Sequence, residues 1–347
     1  MMKMKRTIPA IVCLVVLTCL SCNRDHLYYE TVTRHKVQLD IDWSQTAFVT
    51  DSRDYDENNR LNGVTIFAYD AATHRLAAEL PPDANWQSPL VYLDPGIYDL
   101  VVINDSRAEL PAIGFSTDQP LDGFCAYADA RDGVVTEHPD YLTVSTVKGV
   151  TILPQQADYH YDRPDKYYTD LVEQQISTVQ RAVTKKVNIR VYVKGMNYCK
   201  GMQPAFITGL SKSVNLSTRK PGKETTIYAF NLINREFRNS DYTEAILTQS
   251  FYSFGFDGEN LKEGTKFELT LNFVMVDNTI HTVKTDVTPQ FEEWLKEHSI
   301  ELDLDLDIDV AFEVELPPAS PPSAEESNQG MAPETVPWND IIQNIVL

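Results

Sequence analysis

Apolar and polar residues alternate with period two along several stretches of this chain. Val37, Leu39 and Ile41 alternate with Gln38, Asp40 and Asp42, as in a strand with one face on a core and the other in water. Val187, Ile189, Val191 and Val193 alternate in the same way with Asn188, Arg190, Tyr192 and Lys194. The longest run is Ile300 to Leu316, where every odd position but Ala311 is a carboxylate: Glu301, Asp303, Asp305, Asp307, Asp309, Glu313 and Glu315 lie on one face and the apolar residues on the other. A straight strand of that length spans roughly 55 Å, beyond the usual range. The pattern therefore predicts a bulge, a bend or a strand crossing two sheets.

Further strands are predicted at Gly63 to Tyr69, Leu90 to Leu93 and Ile97 to Ile103. Asp94-Pro95-Gly96 lies between the last two. Proline presets φ at one turn position and glycine accepts positive φ at the next, which predicts a hairpin. Residues 105–165 are rich in Asp, Pro and Gly and predict long loops with short strands. Beyond Ile176, strands are expected at Ala205 to Leu210, Thr225 to Leu232, Ala245 to Phe254, Lys266 to Met275 and His281 to Thr285. Thr288-Pro289 caps and starts a short helix through His298, with Phe291, Trp294, Leu295 and His298 on one face.

The two ends differ from this body. Lys3, Lys5 and Arg6 precede an apolar run from Ile8 to Leu20, then Ser21-Cys22. A charged start, a short apolar core and a small residue before a cysteine describe a secretory signal, and the run is short for a bilayer span. Ser21-Cys22 resembles a bacterial lipobox, which makes Cys22 the lipidation site. The usual aliphatic residue three positions earlier is here Cys19. At the other end, Pro317, Pro318, Pro321, Pro322, Pro333 and Pro337 mark a linker. Trp338, Ile341, Ile342, Ile345, Val346 and Leu347 follow. This apolar end either folds back as a last strand or is offered to a neighbouring subunit by strand addition. The expected organisation is a signal peptide at 1–21, a lipid tether at 22–31, domains at 32–175 and 176–316, and a linker with a terminal strand at 317–347.

Charge and chemistry narrow the function. Removing residues 1–21, which hold three bases and no acid, takes the formal net charge from −20 to about −23. Such a surface repels nucleic acid and anionic lipid, so a covalent lipid is the expected route to a membrane. Abundant Tyr and recurrent Val/Ile/Thr runs lean to β structure. After the signal and Cys22, only Cys125 and Cys199 remain, as a bridge or as two separate buried thiols. There is no HExxH, GxSxG, P-loop, GxGxxG or CxxC motif. Asp54-Tyr55-Asp56-Glu57-Asn58 begins like a calcium loop but has Asn59 and Thr65 where glycine and glutamate belong. Neighbouring carboxylates of the acidic row stand nearly 7 Å apart along a strand, too far to converge on one ion. That row reads as a solvated face, with Arg190 and Lys194 as basic neighbours. No catalytic, metal or cofactor residue is expected, and no enzyme.

These pieces together resemble the Bacteroidetes fimbrillin-type lipoproteins of the anchor and accessory-subunit kind, a family that includes a domain of unknown function. The matching residues are Ser21-Cys22, His35 to Trp43, Val91 to Asn104, Val187 to Gly195, Phe254-Gly255-Phe256, the acidic strand and the Trp338 tail. The resemblance implies a mainly β fold, with two transthyretin-like β-sandwich domains in tandem. It implies export to the cell outer membrane through a lipid, palmitate included, on Cys22. It also implies other fimbrial subunits as partners and a role in fimbriae (pili) and cell adhesion as anchor, tip or accessory subunit. Shaft subunits of the family mature by cleavage after an arginine, for which Arg34, Arg53 and Arg60 are the positions available. The alternative reading is a glycan-binding outer-membrane lipoprotein of a sugar-uptake system, which requires exposed Trp or Tyr platforms for sugar rings; the tryptophans are Trp43, Trp86, Trp294 and Trp338.

Overall fold

The structure, a computed structural model, describes residues 29–48, 61, 63–154, 156–160, 168–298 and 307–321. It opens with β1 (Tyr29–Asp42), β2 (Val64–Asp70), β3 (Leu76–Asp83), β4 (Leu90–Val91) and β5 (Gly96–Asn104). The short β6 (Ile113–Phe115), β7 (Cys125–Ala128), β8 (Ala130–Arg131) and β9 (Val134–Val135) follow. Then come β10 (Thr143–Ile152), β11 (Gln156–His160), β12 (Tyr168–Val179) and β13 (Arg181–Ala182).

A first sheet is built on β1, which pairs antiparallel with β11 and β4 and parallel with β12. A second sheet runs β13-β10-β5-β2-β3, antiparallel throughout. The alternation in β1 does what it predicts: Val37, Leu39 and Ile41 are buried while Asp40 and Asp42 are exposed. They share one core with Ile66, Ala68, Leu100 and Val102 of the second sheet. β2 and β5 read as unbroken apolar runs because both of their faces are covered. Leu100 and Val102 enter this core, whereas Val101 and Ile103 enter another, with Phe67, Tyr69 and Phe124.

The hairpin expected around Pro95-Gly96 does not form. β4 is hydrogen-bonded to β1, and β5 lies between β2 and β10 in the opposite layer. The turn reverses nothing within a sheet; it carries the chain from one sheet to the other. β5 needs a long ladder on each edge, which the two-residue β4 cannot supply. The loop-rich reading of 105–165 likewise misses the ten-residue β10. A bulge between Val147 and Val150 breaks its period. There Gly149 takes φ +68°, a region open to glycine, and its N–H donates to the Asp99 carboxylate at 2.8 Å.

The second half contains β14 (Lys185–Lys194), β15 (Cys199–Met202), β16 (Ala205–Ser211), β17 (Ser213–Asn215), β18 (Thr225–Phe230), β19 (Asn234–Phe237) and β20 (Glu244–Ser253). A short helix α1 (Gly258–Lys262) leads to β21 (Glu268–Met275) and β22 (Ile280–Asp286). Helix α2 (Thr288–His298) and β23 (Ile308–Glu315) close it. One sheet runs β19-β20-β14-β23; the facing sheet holds β22, β21, β16 and β18, then β9 and β8 from the first half. None of the sheets closes into a barrel, and the architecture is mainly β, of the sandwich kind.

The two halves are stitched together. β9 adds to β18 in parallel, and β17 adds to β7 in a small sheet with β6. One continuous core therefore runs from Phe67 and Phe124 to Leu271 and Phe273. The border expected at Gln175/Ile176 falls inside β12, whose Ser177–Val179 still pair with Asp40–Asp42. Gln180 is fully buried just beyond and donates through Nε2 to the Val102 carbonyl at 3.0 Å. The chain passes from one pair of sheets to the other between β13 and β14.

Helix α2 spans the predicted residues, with Phe291 and Trp294 buried. The Thr288 hydroxyl serves a different purpose from the expected cap: it accepts the Phe267 N–H at 2.9 Å, tying the helix start to β21. The described part of the acidic strand, β23, keeps its alternation without a bulge, with Ile308, Val310 and Val314 buried. Residues 299–306 of that pattern lie outside the described residues.

His138 gives this core a pH dependence. Its ring stacks on Phe251 at 4.6 Å and its Nε2 lies 2.9 Å from the Ala229 carbonyl, which fixes that nitrogen as the donor. Burial holds the ring below the ordinary histidine range, although the bond to Ala229 pulls the other way. A folded value below the unfolded one means that the unfolded chain binds the proton first. Stability is then fully present above about pH 6.5, the unfolded value, and is lost as pH falls towards the folded value. Melting temperature should fall across that window, and His138→Phe should flatten the profile. An unchanged slope in the variant contradicts this assignment.

Candidate assembly surface at the sheet edges

A β body offers partners its sheet edges, where backbone N–H and C=O groups lack a neighbour. In the β19-β20-β14-β23 sheet the two edges are treated differently. The outer edge of β23 is covered by α2: Gln290 Nε2 donates to the Ala311 carbonyl at 3.1 Å while Ala311 N–H donates to Gln290 Oε1 at 2.9 Å. One side-chain amide thus stands in for a strand. Trp294 Nε1 donates to the Asp307 carbonyl at 2.8 Å. The acidic face of β23 finds partners on β14, directly opposite and diagonally. Asn188 Nδ2 donates to Asp307 and Asp309 at 3.0 and 2.9 Å, and Lys194 pairs with Glu313. Arg190 registers with Ala311 instead and forms no ion pair among the described residues. Among the described residues no group of acids, histidines or cysteines is arranged to hold a metal.

The opposite edge is open. Among the described residues β19 pairs with β20 alone, and all four of its residues are exposed. Around it stand Ile233, 72% exposed, Tyr242, 60% exposed, and Phe237, 39% exposed. Phe237 and Tyr242 meet edge to face at 4.9 Å, and the Arg235 guanidinium lies over the Phe237 ring at 5.8 Å. An exposed ladder beside exposed apolar side chains is the pairing template that soluble monomers avoid. By contrast β3 carries Pro81 and Pro82, which have no N–H to offer, and β22 shows Lys284 and Asp286 on its exposed positions. Period-two reasoning missed β19 because no face of it is buried. Its one signal was Ile233 and Phe237 in a polar stretch.

Several sequence-derived candidates are not brought to this surface. Cys22, Arg53, Arg60, the Asp54 to Asn58 stretch and Trp338 with the apolar run after it lie outside the described residues. Arg34 falls within β1, paired opposite Asp170. Cys125 and Cys199 are free. Burial pushes both thiols up, away from the reactive thiolate. Of the aromatic platforms that the glycan reading requires, Trp43 and Trp294 are buried and Trp86 is half-buried against Trp43, whereas Tyr92, Tyr127 and Tyr242 are exposed among the described residues. Among the described residues no helix is long and apolar enough to cross a membrane.

No family model and no curated protein sequence matches this chain. Among solved structures it is similar to a candidate adhesin from Bacteroides ovatus, with 19% identity and a TM-score of 0.49 over 83% of this chain and 93% of that one. It is also similar to a candidate polysaccharide-binding protein from Bacteroides thetaiotaomicron, with 10% identity and a TM-score of 0.48 over 81% and 90%. A third is the fimbrial anchor protein Mfa2 from Porphyromonas gingivalis, with 10% identity and a TM-score of 0.46 over 81% and 90%. None of these scores reaches one half, so the sandwich description rests on the strand register of this chain itself.

Proposed function

We propose that the protein is a cell-surface lipoprotein that serves as an anchor, tip or accessory subunit of a fimbrium in adhesion. It is held in the outer membrane by a lipid on Cys22 and joins other fimbrial subunits by strand addition. The observation that carries this reading is the open β19 edge with Ile233, Phe237 and Tyr242 beside it. Main-chain bonds along such an edge give affinity and alternate side chains give specificity. The Ser21-Cys22 motif and the order of the sequence motifs support the lipid-anchored, exported setting.

Exposed apolar anchors at an interface each contribute about 1–4 kcal/mol. The double variant Ile233→Lys, Phe237→Lys should therefore cut co-sedimentation with sheared fibres at least tenfold. Its melting temperature should stay close to that of the parent, because both side chains are exposed. Undiminished co-sedimentation of a folded variant contradicts assembly through this edge.

A further inference from the structure

On a chain of net charge −20, one cavity of about 640 Å³ gathers positive charge. Arg181 from β13, Lys185 from β14, Arg219, Lys220 and Lys223 from the loop before β18, and Lys262 from α1 line it. The acids on its wall are Asp257 and Glu259, and both are engaged. Asp257 caps α1 by accepting the Glu259 N–H at 2.9 Å, and Glu259 pairs with Lys262 at 2.7 Å. Lys185 and Arg219 have interactions of their own. Arg181, Lys220 and Lys223 form no ion pair among the described residues. The floor is apolar, from Phe256, Trp294, Leu295 and Ile308. Arg181, Lys220 and Lys223 thus bring like charges together, which is unfavourable without an opposing charge.

The chain itself carries a segment of complementary chemistry. Residues 322–347 contain Glu325, Glu326, Glu334 and Asp340 and no Lys or Arg, then the apolar run from Trp338 to Leu347. The segment's carboxylates complement Arg181, Lys220 and Lys223, and its apolar run complements the floor. The acidic remainder of the surface repels this segment. Reach is sufficient. Ile308 borders the cavity and Leu316 lies eight residues along the strand, about 26 Å away. Residues 322–337, Pro-rich, extend up to about 50 Å at the polyproline rise. Tethering also raises the effective concentration of the segment into the millimolar range or thereabouts, about what a short flexible linker provides.

We propose that segment 322–347 docks in cis in this cavity, its acids against Arg181, Lys220 and Lys223 and its apolar run over the floor. This inference is independent of the fimbrial reading, since it concerns a different face and needs no partner protein. The 299–306 stretch lies in sequence between the lining residues Leu295 and Ile308, and its Glu301, Asp303 and Asp305 are the rival source of negative charge.

Zero-length carbodiimide cross-linking of the whole chain in detergent, with peptide mapping, separates the sources. Mixing nitrogen-15 and unlabelled chains distinguishes links within a chain from links between chains. The expected result is Lys220 or Lys223 joined to Glu325, Glu326 or Glu334 of the same chain, with a yield at least fivefold lower in 1 M NaCl, where the Debye length is about 3 Å. The variant Glu325→Gln, Glu326→Gln, Glu334→Gln, Asp340→Asn should exchange the amides of 218–223 at least fivefold faster than the parent. Links from these lysines only to Glu301, Asp303 or Asp305, links only between chains, or no link to 322–347 each overturn the proposal. Exchange at 218–223 left unchanged by the neutral variant also overturns it.

Discussion

A Cys22→Ser chain should take up no palmitate label and should leave the membrane fraction. In the proposed anchoring the thiol carries the diacylglycerol, and a serine hydroxyl cannot replace it. The chain's acidic body is repelled by anionic lipid, and the described residues contain no helix able to span a bilayer. One acyl chain alone gives marginal binding, on the order of 10⁴ M⁻¹, so stable anchoring takes two, which a diacylglycerol supplies. Cys19→Ser should keep both the label and the membrane association. Label retained by Cys22→Ser and lost by Cys19→Ser would move the lipid to Cys19; label retained by both would contradict Cys22 as the lipidation site.

Phe267→Ala should lower the free energy of unfolding by about 3–5 kcal/mol, the range for a buried Phe reduced to Ala. The ring is 1% exposed and stacks on Phe291 at 3.9 Å, with Phe256 edge-on at 5.5 Å. Those contacts add perhaps a further kcal/mol, within the ~0.5–1.5 typical of aromatic pairs. Relaxation into the gap is restricted on several sides. Phe267 N–H donates to Thr288 Oγ1 and its carbonyl accepts the Val287 N–H, both at 2.9 Å. On a third side is Gly209, at φ +90°, where a Cβ would come within 2.7 Å of the ring. The glycine is needed both for that backbone angle and for that approach. The loss is a large share of the 5–15 kcal/mol usual for a domain, and α2 should loosen with it because Phe291 loses its stacking partner. Urea denaturation measures it, and a loss under about 1 kcal/mol would show that this cluster does not hold the helix.

What the sequence made legible follows from where water lies. β14 and β23 were readable because each has one wet face, so alternation marks both the strand and its inward side. β2 and β5 were readable as strands but not as the middle layer, since an unbroken apolar run does not say what covers its second face. β10 was hidden by the bulge at Gly149, which shifts its period, and β19 by having no buried face. The turn at Pro95-Gly96 announced a change of direction without naming the partner strand. The proposal for Cys22 rests on a linear motif, Ser21-Cys22. The β19 edge and the cationic cavity are not legible in this way, because they exist only once distant segments meet. The cavity draws on residues from 181–185, 218–223 and 254–262 and on Trp294, Leu295 and Ile308, and no local window contains it.

The central claim is that this chain is a surface subunit of fimbriae. An epitope inserted between Ala72 and Thr73, in the exposed turn joining β2 and β3, can be followed by immunogold electron microscopy of intact cells beside a deletion strain. The account predicts gold on thin fibres or at their bases, with fibres lost or detached in the deletion. Gold spread evenly over the envelope, with fibres unchanged in the deletion, would contradict it.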